Sequence, residues 1–299
     1  MNVTEIDPKF ELAQLAQNQF PPQGGNSPQL DLPSRWIIAR FYSTLDKVSQ
    51  AVEKYRYSEA ETLIYEFFWG NFCDWYLEII KNRWADPQIQ NIAYKILQES
   101  LKMMHPFIPF VTEELWSIIH EDAPALCLQP WPAKEEAIDK EAEASMNKLI
   151  DIVSALRNIR AEWNIKAQEQ IPLIIKVESA HDKNIIEENT DLLKTLGRIK
   201  DIRTVQKEER VPNSITALAG QMKVIVPAGD IIDIDKEKKR ILSQLDEQIK
   251  FSRNLTERLS NQSFLDKAPE DIVAKEKQRL QEIDNRIKQL QQTIKEIAG

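Results

Sequence analysis

A chain of 299 residues with 42% hydrophobic content is long enough for more than one buried core. Seven glycines against 29% charged residues favour helices over glycine-rich barrels, and a formal net charge of −8 argues against a basic coat for non-specific nucleic-acid binding while leaving room for a local basic face. Cys73 and Cys127 stand far apart and only three histidines occur, so neither a disulfide framework nor a paired-ligand zinc site is indicated and a reducing, cytoplasmic setting fits best. No apolar run reaches the ~20 residues of a membrane span, and the N-terminus has no signal-peptide pattern.

Residues 1–31 read as a polar linker, punctuated by Phe20-Pro21-Pro22-Gln23-Gly24-Gly25. Ile37, Phe41, Leu45, Val48, Val52 and Tyr55 then predict a helix of about six turns, with Ser34 as its cap. Ser58-Glu59-Ala60-Glu61 has the form of a capping box at the start of the next helix. In that helix Phe68, Phe72, Trp75, Ile79 and Arg83 recur at three- and four-residue steps, opposite a polar stripe of Asn71, Asp74, Glu78, Lys81 and Asn82. Each buried ring is worth roughly 1.5–3 kcal/mol, so neighbouring helices are expected to close over it. Asp86-Pro87 ends the helix, and Ile89, Ile92, Ala93, Ile96, Leu97 and Leu101 mark a third one reaching His105-Pro106. Pro109 opens a fourth, with Val111, Leu115 and Ile118 expected to face inward. Residues 32–135 are therefore predicted to form a four-helix bundle.

Met146, Leu149, Ile152, Val153, Leu156 and Ile159 predict a further helix running to about Trp163, followed by a strand over 171–177. A polar helix from Asp182 to Leu196 is expected to stop at a left-handed Gly197. Ile215 to Ala219 and Met222 to Val226 alternate around Gly220-Gln221, as a tight hairpin requires. Residues 136–230 thus read as a small α/β domain with a three- or four-stranded sheet. In residues 231–299, Leu280, Ile283, Ile287, Leu290, Ile294 and Ile297 form an a/d seam, partnered by Leu242, Leu245, Ile249 and Leu259 and weakened at Ser252 and Thr256. Asn261 to Pro269 breaks both helices, with Phe264 and Leu265 placed to plug the tip. The expectation is an antiparallel coiled-coil hairpin with arms of roughly 30 residues, about 45 Å long. So thin an arm holds no active site and must reach a partner.

Arg35-Trp36-Ile37-Ile38-Ala39-Arg40, Phe67-Phe68-Trp69 with Phe72-Cys73-Asp74-Trp75-Tyr76-Leu77-Glu78, and His105-Pro106-Phe107-Ile108-Pro109-Phe110-Val111-Thr112-Glu113-Glu114-Leu115-Trp116 resemble the anticodon-binding bundle of class I aminoacyl-tRNA synthetases for branched aliphatic amino acids. Leu156-Arg157-Asn158-Ile159-Arg160-Ala161-Glu162 and Phe264-Leu265-Asp266-Lys267-Ala268-Pro269 narrow the resemblance to the C-terminal part of the valyl-tRNA synthetases. The resemblance implies a mainly α chain that holds valine-specific tRNA, the bundle reading the anticodon loop and the arm bracing the outer corner. The family's HIGH and KMSKS signatures, its nucleotide-binding Rossmann half and its editing domain are missing from the sequence. This chain is therefore expected to carry no catalytic residue, cofactor or metal. ATP and Mg belong to the full-length parent, whose catalytic and editing domains are expected partners, and the chain is expected to be a monomer.

Unpaired anticodon bases stack on rings, whereas a tRNA corner is recognised by shape and phosphate. Trp69 and Trp84, at the edge of the aromatic stripe, are the stacking candidates. Lys81 and Arg83 lie at the helix end, where cations also favour the helix dipole, and Arg35 and Arg40 lie in the first helix. Arg157 and Arg160, three apart and opposite Leu156 and Ile159, share a ridge that is tRNA-facing or braces the domain. Along the hairpin, Lys238, Lys239, Arg240, Lys250 and Arg253 are candidates for phosphate contacts. Two rival readings are a non-enzymatic helical adapter for protein partners and the equivalent part of an isoleucyl- or leucyl-tRNA synthetase. The mutually satisfied seams count against the first. The missing zinc cysteines and the terminal hairpin count against both forms of the second.

Overall fold

The computed structural model describes residues 30–120, 124–133, 138–207, 209, 211–227, 229, 234–260 and 270–298; for 234–238, 270–271, 292–293 and 295–298 it describes the backbone alone. The chain is mainly helical with a small mixed sheet, and it divides into two compact units after Lys148.

In the first unit, helix α1 spans Leu32–Glu53. Its cap is Asp31 rather than Ser34: the aspartate accepts the Ser34 N–H at 3.1 Å, and Ser34 sits buried in the first turn with Oγ 3.5 Å from the Tyr76 hydroxyl. Trp36, Ile37, Phe41, Leu45 and Val48 are buried, but Tyr55 lies past the helix at φ 58° with its ring exposed. Helix α2, Tyr57–Tyr65, has no side-chain cap. The expected capping box fails because Ser58 already lies inside the helix, where its carbonyl accepts the Thr62 hydroxyl at 2.9 Å.

The aromatic stretch is not one α-helix. Glu66–Leu77 is a π-helix, followed by an α-turn over Glu78–Ile80 and a 3₁₀ turn over Lys81–Arg83. Hydrogen bonds from i to i+5 widen each turn, so the buried residues of the π-helix are Phe67, Phe72 and Tyr76, at steps of five and four, and Ile79, as expected, is buried with Ile80 in the turn that follows. Phe68 and Trp75, expected in the core, are only half-buried. The widened turn brings Phe67 edge-on to Phe41 at 5.7 Å and stacks Phe72 on Tyr76 at 6.2 Å, both within the favourable range for ring pairs.

Helix α3, Pro87–Met104, starts at Asp86, whose carboxylate accepts the Gln88 N–H at 2.9 Å. Its predicted stripe is buried except at Leu97, which is half-buried. Helix α4, Pro109–Ile119, is turned the other way from expectation: Thr112 and Trp116 are buried, whereas Val111, Leu115 and Ile118 are exposed. Polar tethers decide this. Thr112 Oγ1 donates to the Ile108 carbonyl at 2.9 Å and lies 2.8 Å from His105 Nδ1, and the Trp116 indole donates to the Pro124 carbonyl at 3.1 Å. Glu113 accepts the N–H groups of Leu126 and Cys127 at 2.7 and 3.3 Å, which fastens α4 to a 3₁₀ turn over Leu126–Leu128.

Helix α5, Lys140–Glu162, contains the point of division. In the second unit its Leu149, Ile152, Val153, Leu156 and Ile159 are buried, as their spacing predicts. A four-stranded sheet follows in the order β2-β1-β4-β3, with β1 Ile171–Lys176, β2 Ile199–Val205, β3 Ser214–Ala219 and β4 Met222–Pro227. β1 and β2 are parallel and the other pairs antiparallel, and Gly220, at φ 59°, makes the predicted hairpin turn. The expected single polar helix is two, α6 Ala180–Glu188 and α7 Thr190–Gly197. The left-handed residue is Arg198, not Gly197. Space is tight at Gly197 instead, since a Cβ there would lie 2.8 Å from Ile199 Cδ1 and 3.1 Å from Leu156 Cδ1, so these buried side chains would have to shift.

Helices α8, Ile234–Ser260, and α9, Glu270–Ala298, run antiparallel against each other. Ser252 Oγ donates to Asp284 at 2.8 Å, and Arg258 reaches Glu276 at 3.4 Å. On α9, Leu280, Ile283 and Ile287 are half-buried and Leu290 is buried. The inner face of α8 differs from the expected one: Ile241 is buried and Leu245, Gln248, Ser252, Leu255 and Leu259 are half-buried, while Leu242, Ile249 and Thr256 are exposed. Three-four alternation counted back from Leu259 lands on Ser252 and Gln248, so the inner face keeps its spacing by admitting polar residues. The expected break at Asn261 to Pro269 and the plug at Phe264 and Leu265 lie outside the described residues.

Candidate nucleic-acid interface

Two of the candidate cations in the first unit are held by carboxylates of the α5 region. Arg35 reaches Asp139 Oδ2 from Nε at 2.8 Å and from Nη2 at 2.7 Å. Arg40 donates from Nε to Asn71 Oδ1 at 3.1 Å and has Glu143 Oε1 at 3.6 Å from Nη1. Sequence spacing did not pair these residues, because Asp139 is 104 positions from Arg35. Both arginines therefore have a role in closing α5 onto α1.

At the other end of the aromatic stretch, Arg83 is exposed and ion-paired with Asp31, and Lys81 is exposed with Glu78 at 3.4 Å. Trp84 is half-buried; its carbonyl accepts from the Gln90 side chain, and among the described residues its indole N–H meets no acceptor. Trp69 stands differently. It lies on the π-helix with 53% of its surface exposed, supported edge-on by Phe68 at 5.6 Å, so it is the more exposed of the two tryptophan candidates.

The second unit also sorts its cations. Arg160 is not a free ridge residue: Nη2 donates to the carbonyls of Glu169, Gly197 and Arg198 at 2.9, 3.2 and 3.1 Å, and Nη1 to that of Lys166 at 3.2 Å. Burial and the neighbouring Arg198 charge pull its pKa below the ordinary arginine value, partly offset by Glu169. Arg157, one ridge position away, is exposed. On α8, Arg240 donates to the Glu162 carbonyl at 3.2 Å, Lys239 and Lys250 are exposed, and Arg253 pairs with Glu257 at 3.1 Å. The side chain of Lys238 lies outside the described residues. Sequence reasoning passed over Phe251, which is exposed between Lys250 and Arg253. The available signal was an aromatic residue off the three-four seam and flanked by cations.

Among the described residues no group of three or more His, Cys, Asp and Glu side chains is placed to hold a metal, and no helix is long and apolar enough to cross a membrane. Burial and the adjacent Asp74 charge push the Cys73 thiol pKa up, away from the reactive thiolate. What the side chains offer is binding by exposed rings and cations on helical scaffolds.

Residues 34–179 match the family model of the anticodon-binding domain of tRNA ligase, and residues 233–298 match that of the valyl tRNA synthetase tRNA binding arm. The valine–tRNA ligase of Petrotoga mobilis is 34% identical over 278 residues, which cover 90% of this chain and 32% of the relative. That of Thermotoga maritima is 34% identical over 88% of this chain and 30% of the relative, and that of Carboxydothermus hydrogenoformans 32% identical over 87% and 30%. The chain therefore spans about a third of the length of the curated relatives it matches. With one model on the helical unit and its continuation, a second on the long helix pair, and ligases aligned along nearly all of the sequence, the chain belongs to the valyl-tRNA synthetase family.

Proposed function

We propose that this chain recognises valine-specific tRNA on behalf of a valine–tRNA ligase. The observation that carries the reading is the pairing, on one chain, of an anticodon-binding match over 34–179 with a tRNA-arm match over 233–298. Residues of the first unit, read as a four-helix bundle, take the anticodon loop; α8 and α9, read as a coiled-coil arm, brace the outer corner of the tRNA.

The side chains divide the work in a physically sensible way. Trp69 supplies a stacking face for an unpaired base, with Lys81, Arg83 and Trp84 as further contacts of the first unit. Lys239, Lys250 and Arg253, with Phe251 among them, supply phosphate and shape contacts along the arm, and Arg157 adds a cation at its exposed ridge. Arg35, Arg40, Arg160 and Arg240 act mainly by holding backbone and carboxylate partners in place. Valine activation, with ATP and Mg, and editing belong to catalytic and editing domains outside this sequence. The assembly works as a monomer in the cytoplasm.

Competition between whole tRNA and an isolated anticodon stem-loop tests the division. Trp69→Ala is expected to weaken both ligands, and Lys250→Ala with Arg253→Ala only the whole tRNA. Equal loss of both ligands in both variants would contradict two separate contact regions.

A further inference from the structure

Helix α8 carries two overlapping faces that fit α9, whereas α9 carries one. On α9, Leu280, Ile283, Ile287 and Leu290 alternate by three and four, and every residue next to them is charged or an amide, so a single apolar stripe is available. On α8, Leu245, Ser252 and Leu259 recur at steps of seven and are half-buried. Ile241, Gln248 and Leu255 complete the observed inner face. Leu242, Ile249 and Thr256, one place on, complete a second face with the same three-four spacing. Each completing set has two apolar members and one polar. The second set lies open, with Leu242 40% and Ile249 43% exposed, while the amide of Gln248 is held half-buried. Burial of apolar side chains therefore does not choose between the two seams of α8. Two packings of similar content are the requirement for a bistable element.

We infer that α8 turns between these two seams against α9, and that tRNA selects the observed one. The selection rests on the proposed reading of the chain as a tRNA binder; the two seams do not. Neighbouring residues of a heptad helix stand about 103° apart, so exchanging one completing set for the other turns α8 by half of that, about 50°. The root is pinned in the observed seam, because Ile241 is 2% exposed and Arg240 donates to the Glu162 carbonyl at 3.2 Å. The turn is therefore taken up as twist beyond Leu245, where Gln248 and Leu255 give way to Ile249 and Thr256. On a helix of about 5–6 Å outer radius it moves side-chain ends by roughly 5 Å. In the observed seam Lys250 stands opposite α9 and Arg253 about 50° from it, so both cations face outward; the second seam carries Arg253 to the edge that meets α9. Two outward cations hold a phosphate backbone better than one. That difference in affinity is what lets tRNA shift the equilibrium.

Disulfide exchange in a glutathione buffer counts the two registers. The contacts of Ser252 with Asp284 and of Arg258 with Glu276 set the level at which the helices meet, and they place Ile287 opposite positions 248 and 249. In the whole chain, carrying Cys73→Ala and Cys127→Ser, Gln248→Cys with Ile287→Cys reports the observed seam and Ile249→Cys with Ile287→Cys the second. Lys250→Cys with Ile287→Cys, outside both seams, is the control. The first two pairs are expected to show effective concentrations within about tenfold of each other and at least about tenfold above the control. Gln248→Leu is expected to lower closure of the 249 pair by at least about threefold and Thr256→Leu to raise it, whatever the cysteines themselves do to the packing. Closure of the 249 pair no better than the control, or indifferent to both leucine changes, overturns the inference. Saturating valine-specific tRNA is expected to raise closure of the 248 pair and lower that of the 249 pair by at least about threefold. An unchanged ratio with tRNA bound overturns the selection. Failure of the chain to bind tRNA would remove the functional reading, and the selection with it, while the two seams stand or fall on the comparison without tRNA.

Discussion

Arg35 and Asp139 are 104 residues apart, and both Nε and Nη2 of the arginine converge on one oxygen of the aspartate, at 2.8 and 2.7 Å. The other oxygen accepts the Ala142 N–H at 2.8 Å and so caps α5. One buried carboxylate thus joins a helix start to the neighbouring helix α1. Arg35→Ala would leave it without its counter-charge. The expected cost is about 2 kcal/mol, below that of a fully buried pair because Arg35 itself is partly solvated. Denaturant titration checks this, and Arg35→Lys is expected to recover only part, since an ammonium lacks the planar fork. Unchanged stability with lost tRNA binding would make Arg35 a ligand contact instead.

Arg160 makes a parallel prediction for the second unit. Its guanidinium bridges four carbonyls, two of them at the end of α7, where the helix leaves acceptors unpaired. Arg160→Met keeps the stem and removes the donors, with an expected loss of about 2 kcal/mol. Arg160→Lys is expected to stay close to the Met variant, and tRNA affinity measured well below the unfolding midpoint is expected to hold.

Acid sensitivity should be traceable to His120. Its ring lies 4.2 Å from that of Trp116, with Gln98 Nε2 at 2.6 Å, and burial, reinforced by Lys102 and Lys95, holds its pKa below the ordinary value near 6.5. The folded chain therefore binds this proton less readily than the unfolded chain. The stability that neutral His120 contributes is complete above about pH 6.5 and declines as pH falls from there through the lower folded value. In His120→Gln, stability measured between pH 7.5 and 5 is expected to lack that part of the slope. An unchanged slope would place the acid response elsewhere.

Trp69→Ala should separate binding from folding. The side chain is 53% exposed, so stability is expected to shift by no more than about 0.5 kcal/mol. Loss of one base stack is expected to weaken tRNA binding by about 1–3 kcal/mol. Phe68, half-buried behind it, is the control: Phe68→Ala should destabilise the unit through lost ring contacts with Phe72 as well as weaken binding.

The elements most legible in the sequence are those whose spacing alone sets their environment. Ile89 to Leu101 on α3 and Leu149 to Ile159 on α5 are aliphatic residues at α-helical steps, and most face inward. Gly220 marks its hairpin for the same local reason. The π-helix was not legible because its change of repeat gains from contacts such as Phe67 on Phe41, between residues far apart in the chain. α4 misled because Val111, Leu115 and Ile118 look like a core stripe, while its rotation is set by the polar Thr112 and Glu113. The cations could be read as candidates, but their partners could not: Arg35, Arg40 and Arg160 meet groups brought together only by folding.

The central claim is most directly tested by titrating this chain, at low and moderate salt, with valine-specific tRNA and with the same transcript carrying a changed anticodon. The account predicts tighter binding of the native anticodon, and affinity falling as salt rises with a modest slope, because an acidic chain neutralises few phosphates. Equal affinity for the two transcripts, or no measurable binding to either, would contradict it.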